Sequence, residues 1–225
     1  AILHQLGREC LGAIRVLKEG ETQAASYEMI TRQQVKALAE EGAQKSAEIV
    51  TKSHLSLTGA SGKVGLYYDM AGNQWYLPQG TAPSTHIVKQ SHVRLEGIVT
   101  NEQLSMMTAA KCGIEVPESF IIDLGSGEDK EVLYATRRYD RTFEGAVDTI
   151  NGLMCPLLLH QEDFSQAIGI PSTSKYEKER SGYMRRMFEL LRQFSTNPIV
   201  DQQKLWDLIV FCFCLGNADA HIKNL

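Results

Sequence analysis

The chain has 225 residues, 43% of them hydrophobic and 22% charged, which suits one large or two small globular domains. Its formal net charge of −4 argues against bulk electrostatic binding of nucleic acid or of an anionic membrane. The N-terminus lacks the charged and apolar regions of a signal peptide, and the five cysteines form no C-x-x-C pair. We therefore expect a cytoplasmic protein without a zinc site, and we expect this chain to be an internal part of a longer polypeptide, truncated at both ends.

The first 136 residues are predicted to be mostly sheet with two helices. Helical periodicity extends over residues 29–45, with Thr31 as the N-cap and Gly42 as the breaker. The remaining predicted elements of this part are a strand–turn–strand at 54–69, short strands at 74–80 and 84–90, a helix at 101–113 and a hairpin over 119–141.

The remainder of the chain is predicted to be helical. Helices are expected at 156–169, 183–194 and 202–215, and the last of these is apolar nearly all round, which predicts a buried helix. The stretch 171–182 between them is polar, and its charged run KYEKER is most simply interpreted as a solvated loop.

The last segment, GNADAHIKNL, carries Asp219 and, five positions later, Asn224, directly after the apolar helix. In kinase-type phosphoryl transfer an Asp accepts the proton of the acceptor hydroxyl, and an Asn at this spacing binds magnesium. A short loop can then direct a carboxylate at the nucleophile and an amide oxygen at the metal. The same pattern also fits a turn that merely caps a helix, and the spacing alone leaves both interpretations open.

Three upstream features point the same way, although each has an ordinary alternative. Lys89 ends the β-branched strand THIVK, where a lysine can reach nucleotide phosphates or simply occupy a sheet edge. Glu102 begins the next helix and can pair with Lys89, or can be a first-turn acid favoured by the helix dipole. The glycine-rich turn SLTGASGK can cradle phosphate or be a plain hairpin turn. It is not a Walker motif, because Leu57 replaces the first glycine and a strand follows.

The order of these parts is that of a protein kinase: glycine-rich hairpin, strand lysine, helix glutamate, polar connector, helices and D-x-x-x-x-N loop. We therefore predict an α+β, protein-kinase-like two-lobed fold. A sheet-rich lobe would span residues 1–136, a hinge 137–139, and the start of a helical lobe 140–225. A second metal-binding aspartate would follow Asn224, outside this sequence.

The chain resembles the HipA family of bacterial serine/threonine kinases, the toxins of HipBA toxin–antitoxin modules. The resemblance covers nearly the whole chain, in the segments LGRECLGAI, SLTGASGK, STHIVK, RRYDR, LHQEDFSQAIGIPSTSKYE and GNADAHIKN. The QEDFSQAIGIP…KYE run and the D-x-H-x-K-N loop are specific to that family.

The resemblance implies a catalytic loop at the end of this chain. Asp219 would be the catalytic base, and His221, Lys223 and Asn224 would line the nucleotide phosphates and the metal, with Asn224 as a metal ligand. Lys89 would bind phosphate, and Glu102 would position this lysine.

The resemblance also implies a nucleotide-binding loop and a connector. Ser56 matches a serine whose autophosphorylation ejects the loop and inactivates the enzyme, and Ser61 stands where family members usually have Gln. The implied nucleotide-binding residues are Thr58, Gly59, Ala60, Ser61, Gly62 and Lys63 in the loop, and Arg137, Arg138 and Tyr139 in the connector that meets the adenine.

The implied function is that of an ATP- and Mg²⁺-dependent serine/threonine protein kinase, the toxin of a type II toxin–antitoxin module. Its substrate would be a translation factor such as glutamyl-tRNA synthetase. A HipB-like DNA-binding antitoxin would be the partner, and that partner, not this chain, would contact operator DNA. Two other classes stay open: a catalytically silent kinase-like binding module, and a small-molecule kinase of related fold.

Overall fold

The computed structural model describes residues 24–53, 63–91, 96–125 and 131–225 together with residue 13, and the side chains of the first helix as far as Gly42. Its strands are β1 (Ser26–Ile30), β2 (Lys63–Asp69), β3 (Gln74–Gln79), β4 (His86–Gln90), β5 (Ser119–Asp123), β6 (Val132–Arg137), β7 (Arg141–Thr142), β8 (Thr149–Ile150), β9 (Leu153–Met154) and β10 (Leu157–Leu158). Its helices are α1 (Arg32–Ser53), α2 (Ile98–Lys111), α3 (Phe164–Ala167), α4 (Tyr183–Phe194) and α5 (Pro198–Leu215), with a 3₁₀ turn at Ser172–Ser174.

Six strands form one antiparallel sheet in the order β1-β3-β2-β4-β6-β5. In β4, every second residue (His86, Val88 and Gln90) is buried, while Lys89 lies on the opposite face. The register places Lys89 beside Lys63 of β2 and beside Tyr134 of β6. The predicted strand at 74–80 and the predicted hairpin over 119–141 are therefore confirmed as elements of this sheet.

Helix α1 covers the buried face of the sheet. Val35 and Ala39 are fully buried against sheet residues such as Leu66 and Leu133. Thr31 caps the helix as predicted: the Gln34 backbone N–H donates to the Thr31 hydroxyl at 3.3 Å, and the Thr31 N–H donates to the Gln34 side chain at 2.8 Å. Each fully buried aliphatic side chain contributes about 1.5–3 kcal/mol to folding, so this layer holds the sheet together.

Two predictions for α1 were wrong. Gly42 does not end the helix, which continues to Ser53, because a glycine inside a helix costs only about 1 kcal/mol. Ile30 does not belong to the helix either; it ends β1, which pairs with β3 and was missed in the sequence.

Two predictions for the later part of the chain were also wrong. The expected helix at 156–169 is reduced to α3, because Leu157–Leu158 pair with β7 and Asp163 caps a helix that begins only at Phe164. Helix α5 is not buried all round: Leu205 is buried, but Phe213 is 85% exposed. Among the helices of the described residues, none is both long and apolar enough to cross a membrane.

The chain divides into two compact units. The sheet unit comprises the described residues up to Met107 together with Pro117–Gln161, and the helical unit comprises Thr108–Val116 with Glu162–Leu225. Residues 140–161, which the sequence assigned to the helical lobe, lie in the sheet unit, where β7 pairs with β10. The role of residues 137–139 as a hinge stays a prediction.

The sheet unit contains a buried histidine that must remain neutral. His86 is 2% exposed and lies among aromatic rings, including those of Tyr68 and Phe120. Its Nδ1 forms a 2.9 Å hydrogen bond with the Thr85 hydroxyl, and its Nε2 has no hydrogen-bond partner among the described residues. Burial, and secondarily the charge of Arg137, lower the pKa of His86 from 6.5 to about 4.

This lowered pKa predicts an acid-sensitive fold. Below pH 6.5 the unfolded chain binds a proton at His86 and the folded chain does not. His86 therefore lowers the free energy of unfolding only below pH 6.5, and increasingly so as the pH approaches 4. We expect a loss of about 3 kcal/mol across that window from this group. Urea unfolding of the full-length protein between pH 7 and 4 measures it. His86→Leu should flatten the dependence. Equal pH slopes in wild type and His86→Leu would contradict the prediction.

Candidate active site

In the sheet unit, the predicted lysine and glutamate lie in direct contact. Lys89 Nζ is 2.5 Å from Oε1 of Glu102 on α2, and both side chains are largely shielded from solvent. The ammonium group also lies 5.6 Å from the centre of the Tyr134 ring, at cation–π distance. The Lys89 ammonium group is thus held in place by two neighbours, as the lysine of a kinase-type nucleotide site would have to be.

The connector after β6 contains buried, hydrogen-bonded charged side chains. The Arg138 guanidinium donates two hydrogen bonds to the Asp140 carboxylate at 2.9 and 2.8 Å and a third to the Ser84 hydroxyl at 3.1 Å. Tyr139, between the two charged residues, is exposed. The Arg138 backbone N–H also donates, to the Thr85 carbonyl at 2.9 Å, so both the side chain and the backbone of Arg138 are held in place.

The predicted nucleotide-binding loop falls outside the described residues, and so does Ser56. Only Lys63 of this set is described: it begins β2 with an exposed side chain, directly opposite Lys89 in the sheet register. The positions outside are Thr58, Gly59, Ala60, Ser61 and Gly62.

In the helical unit, the predicted catalytic loop follows α5 and is anchored by one apolar side chain. Gly216, with φ of 67°, ends the helix, and its N–H donates to the Cys212 and Phe213 carbonyls. Six residues further on, the buried Ile222 side chain packs with Tyr183 and Leu205 in the core of this unit. The loop backbone is thereby attached to the core of this unit.

Two side chains donate hydrogen bonds to the Asp219 carboxylate, which is 51% exposed. The Tyr176 hydroxyl donates to Oδ1 at 3.3 Å, and the Asn224 amide donates to Oδ2 at 3.0 Å and to the Asp219 carbonyl at 2.8 Å. Nε2 of the buried His221 lies 3.5 Å from Oδ1. The His221 Nδ1 accepts the Lys223 backbone N–H at 3.3 Å, so the proton of a neutral ring lies on Nε2, which has no hydrogen-bond partner among the described residues. The loop thus presents an oriented, solvent-accessible carboxylate.

The loop contains one residue that fits a magnesium ion. Because the Asn224 side-chain N–H groups are directed at Asp219, the Oδ1 atom remains as a hard oxygen donor of the kind that Mg²⁺ prefers. Among the described residues there is no group of three or more His, Cys, Asp or Glu side chains that could form a complete metal site. Asn224 would therefore act together with phosphate oxygens and water, as is usual for Mg²⁺ in kinase sites.

Lys223 forms an ion pair within the helical unit. Its Nζ lies 2.6 Å from Oδ2 of Asp163, whose Oδ1 accepts the Gln166 N–H at 2.8 Å in the capping box of α3. One carboxylate therefore both caps a helix and holds the last cation of the loop.

The family assignment follows from comparison with known proteins. The family model described as the HipA-like C-terminal domain matches residues 55–225. The chain belongs to this family.

Individual relatives of this HipA-like chain agree with the assignment. It is 33% identical, over its whole length, to the Sinorhizobium fredii protein named "Putative kinase Y4mE" and covers 52% of it. It is 29% identical, again over its whole length, to the "Serine/threonine-protein kinase toxin HipA" of Shewanella oneidensis and covers 51% of it. The chain thus spans about half the length of these curated relatives.

A solved structure gives the same fold. A chain in the complex of HipA, HipB and operator DNA from Shewanella oneidensis MR-1 matches with a TM-score of 0.68 at 25% identity. The match covers 99% of this chain and 52% of that one. The HipA-like chain therefore has an α+β, kinase-like fold, as the sequence predicted.

Two residues at the HipA-like loop were missed in the sequence. Asp163 and Tyr176 both lie in the QEDFSQAIGIP…KYE run, which marked the family but received no site role, and Tyr176 belongs to the stretch interpreted as a solvated loop. The structure brings them to Lys223 and Asp219. The available signal was an aspartate three positions before a glutamine, which is a capping pattern, but nothing in it pointed to Lys223.

The two roles of Asp163, as cap of α3 and as ion-pair partner of Lys223, can be measured separately. Asp163→Asn keeps an oxygen for the helix cap but loses the ion pair, so we expect a loss of about 1 kcal/mol in the free energy of unfolding of the full-length protein. Asp163→Ala should lose a further ~1 kcal/mol because the cap is removed as well.

The exposed Arg185–Glu189 pair of α4 is the matched control. Glu189→Gln should cost under about 0.5 kcal/mol in urea unfolding. A cost for Asp163→Asn no larger than that of Glu189→Gln would show that the ion pair contributes nothing beyond a surface contact.

Proposed function

We propose that the full-length protein is an ATP-dependent serine/threonine protein kinase that acts as the toxin of a type II toxin–antitoxin module in the cytoplasm. The observation that carries this proposal is the Asp219 carboxylate, exposed to solvent and oriented by Asn224 at the kinase spacing. The kinase names of the relatives support the same reaction class.

In this proposal, Asp219 accepts the proton of a serine or threonine hydroxyl. The hydroxyl oxygen forms a bond to the γ-phosphorus of ATP while the bond between that phosphorus and the β–γ bridging oxygen breaks, and ADP leaves. Lys89, held by Glu102, binds phosphate oxygens, and Asn224 holds the metal. Mg²⁺, when bound, neutralises charge on the phosphate oxygens. The remaining role of the protein is to position the groups.

We further propose a HipB-like DNA-binding antitoxin as the partner and a translation factor, such as glutamyl-tRNA synthetase, as the substrate. The partner is suggested by the solved complex of the Shewanella proteins, which contains HipA, HipB and operator DNA. The net charge of −4 is in keeping with DNA contacts made by the partner instead of this chain. The substrate rests on the family resemblance alone.

Two substitutions in the full-length protein test the assigned roles. Asp219→Asn should keep nucleotide affinity within about twofold by calorimetry and reduce single-turnover phosphoryl transfer by about 10²–10⁴-fold, the usual contribution of a general base. Lys89→Met should weaken ATP binding and transfer together, because Lys89 contacts phosphate before and during the reaction.

Lys36→Met is the control for Lys89→Met. Lys36 forms an ion pair with Glu131 at the same 2.5 Å distance and with similar burial in the same unit, and has no proposed nucleotide role. Equal loss of nucleotide affinity in the two variants would make Lys89 an ordinary structural lysine. A loss of transfer under tenfold in Asp219→Asn would remove Asp219 as the base.

The same assay separates the other two function classes. A wild-type protein that binds Mg-ATP but transfers no phosphate would be a silent binding module. Phosphate recovered on a metabolite instead of on protein serine or threonine would indicate a small-molecule kinase.

We also propose Ser56 as the site of autophosphorylation. A phosphate there would add about 1.5–2 negative charges next to the loop proposed to receive the phosphates of ATP, and repulsion would lower ATP affinity. Mass spectrometry after incubation with Mg-ATP should find phosphate on Ser56, and Ser56→Ala should stay active longer. Phosphate mapped to Thr58 or Ser61, with Ser56 unmodified, would reject this role and leave the kinase proposal standing.

A further inference from the structure

We propose that Tyr176 is a positioning residue for Asp219: its hydroxyl holds the carboxylate in the orientation from which it can accept a proton. The catalytic role of Tyr176 rests on the proposed function, whereas the contact between the Tyr176 and Asp219 side chains does not.

The Asp219 carboxylate depends on hydrogen bonds for its orientation. Because half of it is exposed, packing does not prevent rotation about its Cβ–Cγ bond. Asn224 holds Oδ2 and the backbone carbonyl, and the Tyr176 hydroxyl holds Oδ1, so the two oxygens are bound by donors from different segments. Without the Tyr176 hydroxyl, Oδ1 would lose its only hydroxyl donor among the described residues. Oδ2 alone would then be held, by Asn224, the residue that is also proposed to bind the metal.

Tyr176 is itself held at the loop by its neighbours. The Lys175 carbonyl accepts the backbone N–H of Ile222 at 3.3 Å, which fastens the chain next to Tyr176 to the anchor of the loop. The Tyr176 ring meets the His221 ring edge-on, with centroids 5.1 Å apart and planes at 84°. The Lys175 ammonium lies 5.0 Å from the centre of the Tyr176 ring. The Tyr176 side chain is thus held by contacts on its ring, and the backbone next to it is held by a hydrogen bond.

The electrostatics of the pair keep Tyr176 a donor. Although Tyr176 is 45% exposed, desolvation of its phenol raises its pKa, and the negative charge of Asp219 together with the hydrogen bond that Asp219 accepts raises it further. The phenol therefore remains protonated at neutral pH and can donate to the carboxylate.

Tyr183 provides a matched control. Its hydroxyl donates to the Ser174 carbonyl at 2.9 Å, two residues from Tyr176, and its side chain lies in the core of the same unit. Tyr176→Phe and Tyr183→Phe thus each delete one tyrosine hydroxyl bound within the same part of the chain, but only the first deletes a contact with Asp219. A purely structural effect should be at least as large for Tyr183, which is the more buried of the two.

The first experiment is single-turnover phosphoryl transfer by the full-length protein, with ATP affinity measured by calorimetry. We expect Tyr176→Phe to lower the transfer rate about tenfold, because small misplacements of a reacting group cost up to about 10²-fold. ATP affinity should stay within about twofold, since the hydroxyl is directed at the base. Tyr183→Phe should transfer at nearly the wild-type rate once folded. A Tyr176→Phe rate within twofold of wild type, or an equal loss in Tyr183→Phe, would overturn the inference.

The second experiment does not depend on activity. In the full-length protein labelled with ¹³Cζ-tyrosine, the Tyr176 resonance is identified by its absence from Tyr176→Phe. Asp219→Ala should shift this resonance at neutral pH and leave that of Tyr183 in place. An unchanged Tyr176 resonance would overturn the contact whether or not the protein is a kinase. A wild-type protein without transfer, but with the expected shift, would instead reject the proposed function.

Discussion

The candidate site depends on one requirement: the Asp219 carboxylate has to be accessible and yet held in one orientation. Burying the carboxylate would fix its orientation but would close it off from a substrate. An unpaired buried carboxylate is also strongly disfavoured in free energy. The chain solves this by burying the neighbouring Ile222 in the core of the helical unit, which fixes the backbone of the loop. Hydrogen bonds from Tyr176 and Asn224 then orient the exposed side chain.

The sheet unit meets a similar requirement in another way. Lys89 lies on a central strand whose alternate residues form the core, so its position follows from the pairing of β4 with β2 and β6. Glu102 and the Tyr134 ring then fix the ammonium group. Placing a charged group on a rigid element and orienting it with a second residue is what positioning catalysis demands.

The sequence predicted those parts of this arrangement that depend on local pattern. The Lys89–Glu102 contact joins a strand to the next helix, only 13 positions apart, and α4 was predicted with the bounds that the structure has. The contacts of Tyr176 with Asp219 and of Asp163 with Lys223 span 43 and 60 positions. Local periodicity carries no information about such distant pairs. The segment around Tyr176 was therefore interpreted as a solvated loop, although it helped to identify the family. The helix expected at 156–169 failed for a related reason, because pairing of Leu157–Leu158 with β7 overrode an apolar pattern that suits either state.

A crystal structure of the full-length protein with Mg²⁺ and a non-hydrolysable ATP analogue would test the role of the Asp219 loop most directly. We expect a magnesium ion about 2.1 Å from the side-chain oxygen of Asn224. We also expect the Asp219 carboxylate to keep its hydrogen bonds to Tyr176 and to the Asn224 amide. A structure in which nucleotide and metal bind without contacting residues 219–224 would contradict the assignment of this loop to phosphoryl transfer.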